Sequence, residues 1–258
     1  MAGICLALLC SLLVPATARA QNGDSYELSI VTYGLGRVTG DAIDCGAGQT
    51  ACVATYDEPR TVALTANPAS GHVFLGWIGS CSGIETTTVH VDSPKHCEAF
   101  FDPAEPTSPR TLLALDSGPG DYVGRGARYL YSSIDTAWQV SADGNRLLFA
   151  LESVDGSWWY ARFSAPRGAS LEPGVYPNAK RWQFNSVSPG LEVYGNGRGC
   201  EELTGRFVVH EIVMDDFTGA LLSFAADFEQ HCEHADAALF GAVRYNSLVP
   251  GVSAFGGA

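Results

Sequence analysis

Short segments of β-forming residues, separated by turn residues, follow one another from residue 26 almost to the C-terminus, and this pattern constrains the fold more than any other feature. The 258 residues include 29 glycines and 13 prolines, and only 17% of the residues are charged. Glycine and proline punctuate such segments, and no stretch of useful length shows the 3.6-residue apolar period of a helix. The sequence therefore predicts an all-β fold.

Six strands are predicted in the first part of the chain, ahead of a proline-rich linker. They cover residues 26–33, 51–56, 61–66, 72–77, 87–91 and 96–101. The linker, residues 103–110, contains three prolines, each of which fixes its own φ and restricts the residue before it. We therefore expect a stiff linker between a first domain at residues 25–102 and a second at residues 111–250.

The second domain is predicted to contain nine strands. They cover residues 112–115, 127–132, 136–141, 146–152, 158–163, 191–194, 207–214, 220–228 and 237–245. So many short strands in roughly 140 residues, punctuated by glycine, proline and asparagine, fit an antiparallel β-sandwich or jelly-roll-like domain.

The first domain carries an ordered set of landmarks. They are residues 43–46 (IDCG), 62–69 (VALTANPA), 76–83 (GWIGSCSG) and 97–101 (CEAFF). With a predicted turn at Asn67-Pro68, residues 26–101 resemble the divergent internalin B-repeat domain of bacterial surface and secreted proteins. This resemblance implies a small extracellular β module that acts as a spacer or binding unit and has no catalytic residues. The second domain resembles an uncharacterised module of bacterial secreted proteins, and Trp77 is expected to fill the first core.

The N-terminus resembles a secretion signal. Residues 4–14 form an apolar run too short to span a bilayer, and Ala18-Arg19-Ala20 matches an A-x-A cleavage site, so residues 1–20 are the predicted signal peptide. No later apolar run reaches the length of a membrane span. We therefore expect a secreted or periplasmic protein without a membrane span.

The charge balance is acidic. The chain has 15 basic and 28 acidic residues, a net charge of −13, which becomes −14 when Arg19 is removed with the signal peptide. Such a surface disfavours nucleic-acid partners because it repels phosphate backbones.

The acidic surface is compatible with Ca²⁺, and Asp116 and Asp121 in a glycine-rich segment are candidate ligands, although no specific calcium motif is present. A tight turn is the alternative for that segment.

Six cysteines remain after the signal peptide, an even set in an exported chain, and this predicts disulfides. Two segments of alternating residues, 207–213 and 221–228, flank a turn expected to centre near Asp216 or Phe217. That register places Cys200 and Cys232 at the open end of one hairpin and predicts a bond between them. Proximity in the chain and the family pattern favour the pairs Cys45–Cys52 and Cys81–Cys97.

His231 and His234 flank Cys232 in the densest cluster of metal-ligand residue types. Imidazole nitrogens and a thiolate suit zinc. The alternative is that Cys232 is oxidised and the two histidines lie on an exposed strand end. Otherwise, the sequence indicates no cofactor.

Trp158, Trp159 and Tyr160 follow one another on a predicted strand, so Trp158 and Tyr160 face one side and Trp159 the other. One side must belong to the core. An aromatic ring on the opposite side would form a platform for a sugar, and Trp182 would extend it. The candidate ligand-binding residues are therefore Trp159, Trp158 and Trp182.

No catalytic residue is assigned. A G-x-S-x-G nucleophile motif is absent, and the acidic pairs carry no mark of a raised pKa. The sequence favours a non-catalytic extracellular binding or adhesion protein, with a polysaccharide or a cell-surface protein as partner. The alternatives are a polysaccharide-active enzyme on a jelly-roll scaffold and a structural component of a secreted complex.

Overall fold

The computed structural model describes residues 25–81, 86–143, 145–184 and 187–250. The predicted signal peptide lies outside the described residues. Within them the chain forms nineteen strands and one short 3-10 helix, Trp182–Phe184, so the all-β prediction is confirmed. Among these residues, no helix has the length and apolar character needed to cross a membrane.

The first domain contains two sheets. Their strands are β1 Tyr26–Tyr33, β2 Gly36–Gly40, β3 Ile43–Gly46, β4 Gln49–Ala51, β5 Val53–Tyr56, β6 Arg60–Pro68, β7 His72–Gly79, β8 Thr87–Val91 and β9 Lys95–Pro103. One sheet has the order β5-β1-β9-β7 and the other β4-β3-β2-β6-β8. Only β1 and β9 pair in parallel among these strands; the other recorded pairs are antiparallel.

Both sheets contribute to one core. Alternation places Val62 and Leu64 of β6 inside, while their neighbours in the strand are exposed. Trp77 is 1% exposed and lies in this core, as predicted. The disulfides Cys45–Cys52 and Cys81–Cys97 have formed, in the pairing that the sequence favours.

One predicted turn in this domain was wrong. β6 continues through Asn67 and Pro68, which pair with Arg37 and Gly36 of β2. The chain reverses only after Pro68, where the amide of His72 donates to the carbonyl of Ala69 at 3.0 Å. Proline is tolerated there because β8 pairs only with residues 60–64 of β6, which leaves Pro68 at an unpaired edge on that side of the strand.

The second domain is built from ten strands. They are β10 Arg110–Ser117, β11 Arg128–Ser132, β12 Thr136–Asp143, β13 Arg146–Ser153, β14 Trp158–Ser164, β15 Gly174–Arg181, β16 Gly190–Gly195, β17 Leu203–Met214, β18 Leu221–Cys232 and β19 Ala238–Ser247. They form one sheet in the order β11-β10-β19-β18-β17-β15-β16-β14-β13-β12. The pair β15–β16 is parallel and the other pairs are antiparallel.

This sheet curls until its two edges approach each other. β11 and β12 stand at opposite ends of the sheet order, yet only residues 133–135 connect them. Opposite walls meet in an aromatic core, in which the ring of Phe224 lies 5.3 Å from that of Phe149 and 5.4 Å from that of Phe163. The walls thus pack as the two layers of a β-sandwich do, which fits the predicted fold class.

The hairpin of β17 and β18 has formed with a shifted register. Cys232 pairs directly with Leu203, and Cys200 lies in the loop just before β17. The register differs from the predicted one because the turn centres between Phe217 and Thr218; the two irregularities in the pairing shift it in opposite directions and cancel. The disulfide Cys200–Cys232 nevertheless closes the open end of the hairpin, as predicted.

The two domains have separate cores. No buried residue belongs to both apolar clusters among the described residues. Across the connecting segment, an ion pair joins Asp102 of β9 to Arg110 of β10. Separate cores are consistent with the predicted boundary near residues 103–110.

Candidate functional site

Trp159, one of the candidate ligand-binding residues, is fully buried. The alternation of β14 turns Trp159, Ala161 and Phe163 inward, and each is 0% exposed. The indole Nε1 of Trp159 donates to the hydroxyl of Tyr131 at 2.9 Å, so its polar atom also has an interior partner. The expectation that Trp159 contacts a ligand was therefore wrong, because its ring belongs to the core.

Trp158 and Tyr160 point outward from the same strand. On the neighbouring strand β16, Tyr194 lies directly opposite Tyr160, and the two rings stack with centroids 5.0 Å apart. The Trp158 ring meets both edge-on, at 5.7 Å from Tyr160 and 6.2 Å from Tyr194. Trp158 is 36% exposed, so part of its surface is open to solvent.

Trp182 joins this surface through Arg162. The guanidinium carbon of Arg162 lies 4.9 Å from the Trp182 ring centroid and 5.1 Å from that of Tyr194. A second guanidinium, from Arg146, lies 5.1 Å from the Trp182 ring. Such stacking is favourable because each ring face is negative and each guanidinium is positive. We call Trp158, Tyr160, Tyr194 and Trp182 the aromatic face.

The 3-10 helix that carries Trp182 lies against β14 and β16. Ser164 and Gly190, which occupy outer positions of these two strands, are buried. The helix therefore covers one end of the aromatic face, and Trp158 marks the other, open end.

A buried carboxylate fixes the arginines of this surface. Glu192 is 4% exposed, and its two oxygens accept from Arg162 at 2.9 Å and from Arg181 at 2.8 Å. A buried charge of this kind requires such partners. Burial raises the pKa of Tyr194 above its ordinary value, so its phenol is neutral and able to donate a hydrogen bond at neutral pH.

A cleft of about 630 Å³ is lined in part by Arg181, whose guanidinium bonds the same Glu192 carboxylate as Arg162 of this surface. Its lining residues are Lys180, Arg181, Glu201, Glu202, Leu203, Thr204 and His234. The cleft mixes both signs of charge, and it lies beside the disulfide Cys200–Cys232 because Glu201 follows Cys200 directly.

The two histidines proposed as zinc ligands have other partners. His231 contacts the carbonyl of Ala235 at 3.0 Å and the carboxylate of Glu229 at 2.9 Å, and His234 contacts Glu202 at 2.9 Å. Cys232 is oxidised. No cluster of three or more histidine, cysteine or acidic side chains suited to a metal occurs in the described parts of the chain. The geometry therefore gives a zinc site no support.

Asp121 and Asp116, the residues weighed for calcium, stabilise local structure. Asp121 is 4% exposed, and its Oδ2 accepts from the Ser117 hydroxyl and from the Gly124 amide, each at 2.7 Å. Asp116 forms an ion pair with Arg128. These donors occupy the carboxylates, and the glycine-rich segment forms a tight turn.

The acidic side chains considered for catalysis are also engaged. Burial works against ionisation of Glu229, but hydrogen bonds from His231 and Arg206 hold its pKa below its ordinary value. Glu233 accepts from the backbone amide of Glu201 at 2.6 Å. These contacts are those of surface and loop carboxylates rather than of a proton donor poised near neutral pH.

Sequence reasoning missed Arg162, Glu192, Tyr194 and Arg181. The alternation of side chains along a strand could have indicated three of them. Arg162 lies on the same side of β14 as Trp158, and Glu192 lies on the same side of β16 as Tyr194. No sequence pattern indicated Arg181, because it is the last residue of β15, a strand that was not predicted.

Comparison with known proteins adds one match. Residues 26–105 match the family model of the divergent InlB B-repeat domain, as the sequence resemblance predicts. No curated protein and no solved structure matches the chain significantly. The matched family suggests an extracellular surface or adhesion-type role, and three disulfides fit an extracellular or periplasmic compartment. The aromatic face lies outside the matched residues.

Proposed function

We propose that the protein is a secreted, non-catalytic binding protein that holds a glycan on its aromatic face, with the B-repeat-like domain as spacer or adhesion unit. The observation that carries this proposal is the arrangement of Trp158, Tyr160 and Tyr194. Three aromatic rings occupy adjacent outward positions of the sheet, where the core gains nothing from them. Such rings are suited to pack against the C–H surfaces of sugars.

The polar groups around the rings support the same proposal. Glycan sites combine aromatic surface with a few fixed hydrogen-bonding groups. Here the protonated hydroxyl of Tyr194 and the guanidinium of Arg162 provide donors, and Glu192 fixes the orientation of Arg162. A rigid donor loses little conformational entropy when a ligand binds.

A binding assay on the chain without residues 1–20 tests this proposal. The probes are immobilised cellulose, xylan, galactomannan, peptidoglycan, polygalacturonate and hyaluronan. We expect saturable binding to at least one of them. Trp158→Ala should weaken it by about tenfold, which corresponds to about 1.4 kcal/mol.

Phe217→Ala is the matched control. Phe217 is 99% exposed at the tip of the β17–β18 hairpin, so this variant also removes an exposed aromatic ring but leaves the aromatic face intact. Its affinity should equal that of the unaltered protein. Equal losses in both variants, or no binding to any probe, would refute a glycan site on the aromatic face.

A further inference from the structure

We infer that the glycan is acidic, and that Arg146 and Lys180 recognise its carboxylates at the covered end of the aromatic face. This inference rests on the proposed function, and it names the chemical class of the ligand. An acidic polysaccharide offers both sugar faces and carboxylates, and this surface offers aromatic rings with two cationic residues at one end.

The first step is the pairing of the cations. Most guanidiniums of this acidic protein have a carboxylate partner; Arg206, for example, lies 2.7 Å from Glu229. Within the described parts of the chain, neither Arg146 nor Lys180 has a carboxylate within 4 Å. Arg146 lies beside the Trp182 ring, and Lys180 precedes Trp182 by two residues in the chain.

The second step is their placement across the sheet. Arg146 pairs with Ser164, Ser164 with Gly190, and Gly190 with Lys180, so the four residues form one row over four strands. Three inter-strand spacings of about 4.8 Å place the two cationic residues about 14 Å apart along this row. The helix that carries Trp182 lies between them over Ser164 and Gly190.

The third step concerns the shape of the cationic groups. The Arg146 guanidinium carbon lies 5.1 Å from the centroid of the Trp182 ring, and with no carboxylate partner among the described residues its N–H groups are available to a ligand. A guanidinium edge matches a carboxylate with two parallel hydrogen bonds. Neutral sugars have no group that matches this edge equally well, so the site favours a carboxylated chain.

The acidic groups nearby do not cancel this preference. Asp143 lies opposite Arg146 on β12 but beyond ion-pair distance in the described structure. Glu202 lines the cleft beside Lys180, and its carboxylate contacts His234 rather than Lys180. At physiological salt, charges separated by more than about 8 Å are largely screened, so the local cations outweigh the distant net charge.

The small number of cations at this site also argues against nucleic acid as the ligand. Duplex DNA carries about one negative charge per 1.7 Å of helix axis, and its binding needs many neutralising contacts. Two cationic residues about 14 Å apart do not provide them. Acidic polysaccharides carry fewer charges per unit length than duplex DNA, so two cations can contact a larger share of them.

The test compares acidic polysaccharides with their carboxyl-reduced forms, which keep the sugar backbone and lose the charge. The probes are polygalacturonate, alginate and hyaluronan, each in both forms, at about 0.15 M NaCl. We expect each bound polymer to bind about tenfold more weakly after reduction. The double variant Arg146→Gln/Lys180→Gln should lose this preference, while Trp158→Ala should weaken both forms.

The control Arg60→Gln/Lys95→Gln removes the same charge from the first domain, at ion pairs that are at least partly exposed and contribute little to stability, and should keep the preference. Equal binding of the acidic and reduced forms would overturn the acidic class and leave the glycan proposal standing. No binding to either form of any of the three polymers would overturn the acidic class, and binding to the neutral polymers of the first panel would then decide whether the glycan proposal stands. Preferential binding of single-stranded DNA, included as a further probe, would also overturn the acidic-glycan inference.

Discussion

Asp215 stabilises the turn of the β17–β18 hairpin through a single carboxylate oxygen. Its Oδ1 accepts from the backbone amides of Thr218 at 2.7 Å and Phe217 at 3.0 Å, and from the Thr218 hydroxyl at 2.8 Å. These bonds, led by the Thr218 amide, hold the pKa of Asp215 below its ordinary value. The turn therefore depends on the ionised form of this side chain.

The consequence is a pH-dependent contribution to stability. Because the folded pKa is lower than the unfolded one, the contribution is complete above about 3.9, the unfolded value, and is lost as the pH falls through the folded pKa. We expect Asp215→Ala to lower the melting temperature at pH 7 and to have less effect at pH 2.5. Thermal unfolding at both pH values measures this. Asp216→Ala, at the exposed neighbour, should show no such trend, and a constant effect of Asp215→Ala would contradict the argument.

Trp158 and Trp159 show what a sequence can and cannot predict about single residues. The period of two correctly separates them onto opposite sides of one strand. Which side is buried depends on the following residues, because Ala161 and Phe163 share a side with Trp159, whereas the charged Arg162 shares a side with Trp158. Reading the alternation three residues further would have placed Trp159 in the core.

At the scale of elements, the disulfide Cys200–Cys232 constrains the longest hairpin. It joins residues 32 apart, so it removes many conformations from the unfolded chain. We expect the variant Cys200→Ala/Cys232→Ala to lose about 3–4 kcal/mol of unfolding free energy, measured by urea denaturation.

The variant Cys45→Ala/Cys52→Ala provides the comparison. These cysteines are only 7 residues apart, and the same model predicts a smaller loss of about 2–3 kcal/mol. If removal of Cys45–Cys52 cost more unfolding free energy than removal of Cys200–Cys232, loop entropy would not explain the contribution of Cys200–Cys232.

Strands with clear alternation were predicted well, and irregular ones were missed. The bounds of β1 and β8 agree with the sequence prediction to the residue. β15 was not predicted because Pro177 lacks an amide donor, Asn178 has a positive φ of 55°, and a bulge interrupts the pairing there. The resulting gap in the prediction also concealed Arg181 and the surroundings of Trp182.

At the scale of the whole molecule, the sequence predicted the fold class and not the sheet order. The order depends on pairings between distant segments, such as β10 with β19 and β15 with β16. These pairings require closure of long loops, and no local pattern encodes them. The composition of the aromatic face depends on the same pairings, since Tyr194 reaches Tyr160 only through the β14–β16 register.

The separate cores of the two domains predict two folding units. Trp77 belongs to one apolar cluster and Trp159 to the other, and among the described residues no buried residue belongs to both. Limited proteolysis with a broad-specificity protease should therefore cut first at residues 104–109, the segment between β9 and β10. Mass spectrometry should find two resistant fragments of about the predicted domain sizes.

The ion pair between Asp102 and Arg110 allows a sharper version of this experiment. Both side chains are largely buried, so the pair holds the two ends of the connecting segment together. Arg110→Gln leaves the carboxylate without its partner, which is costly in a buried setting, and should speed cleavage between residues 104 and 109. Arg60→Gln, at an exposed pair within the first domain, should leave the cleavage rate unchanged. Initial cleavage within either domain, in the unaltered protein, would mean that the two cores do not unfold independently.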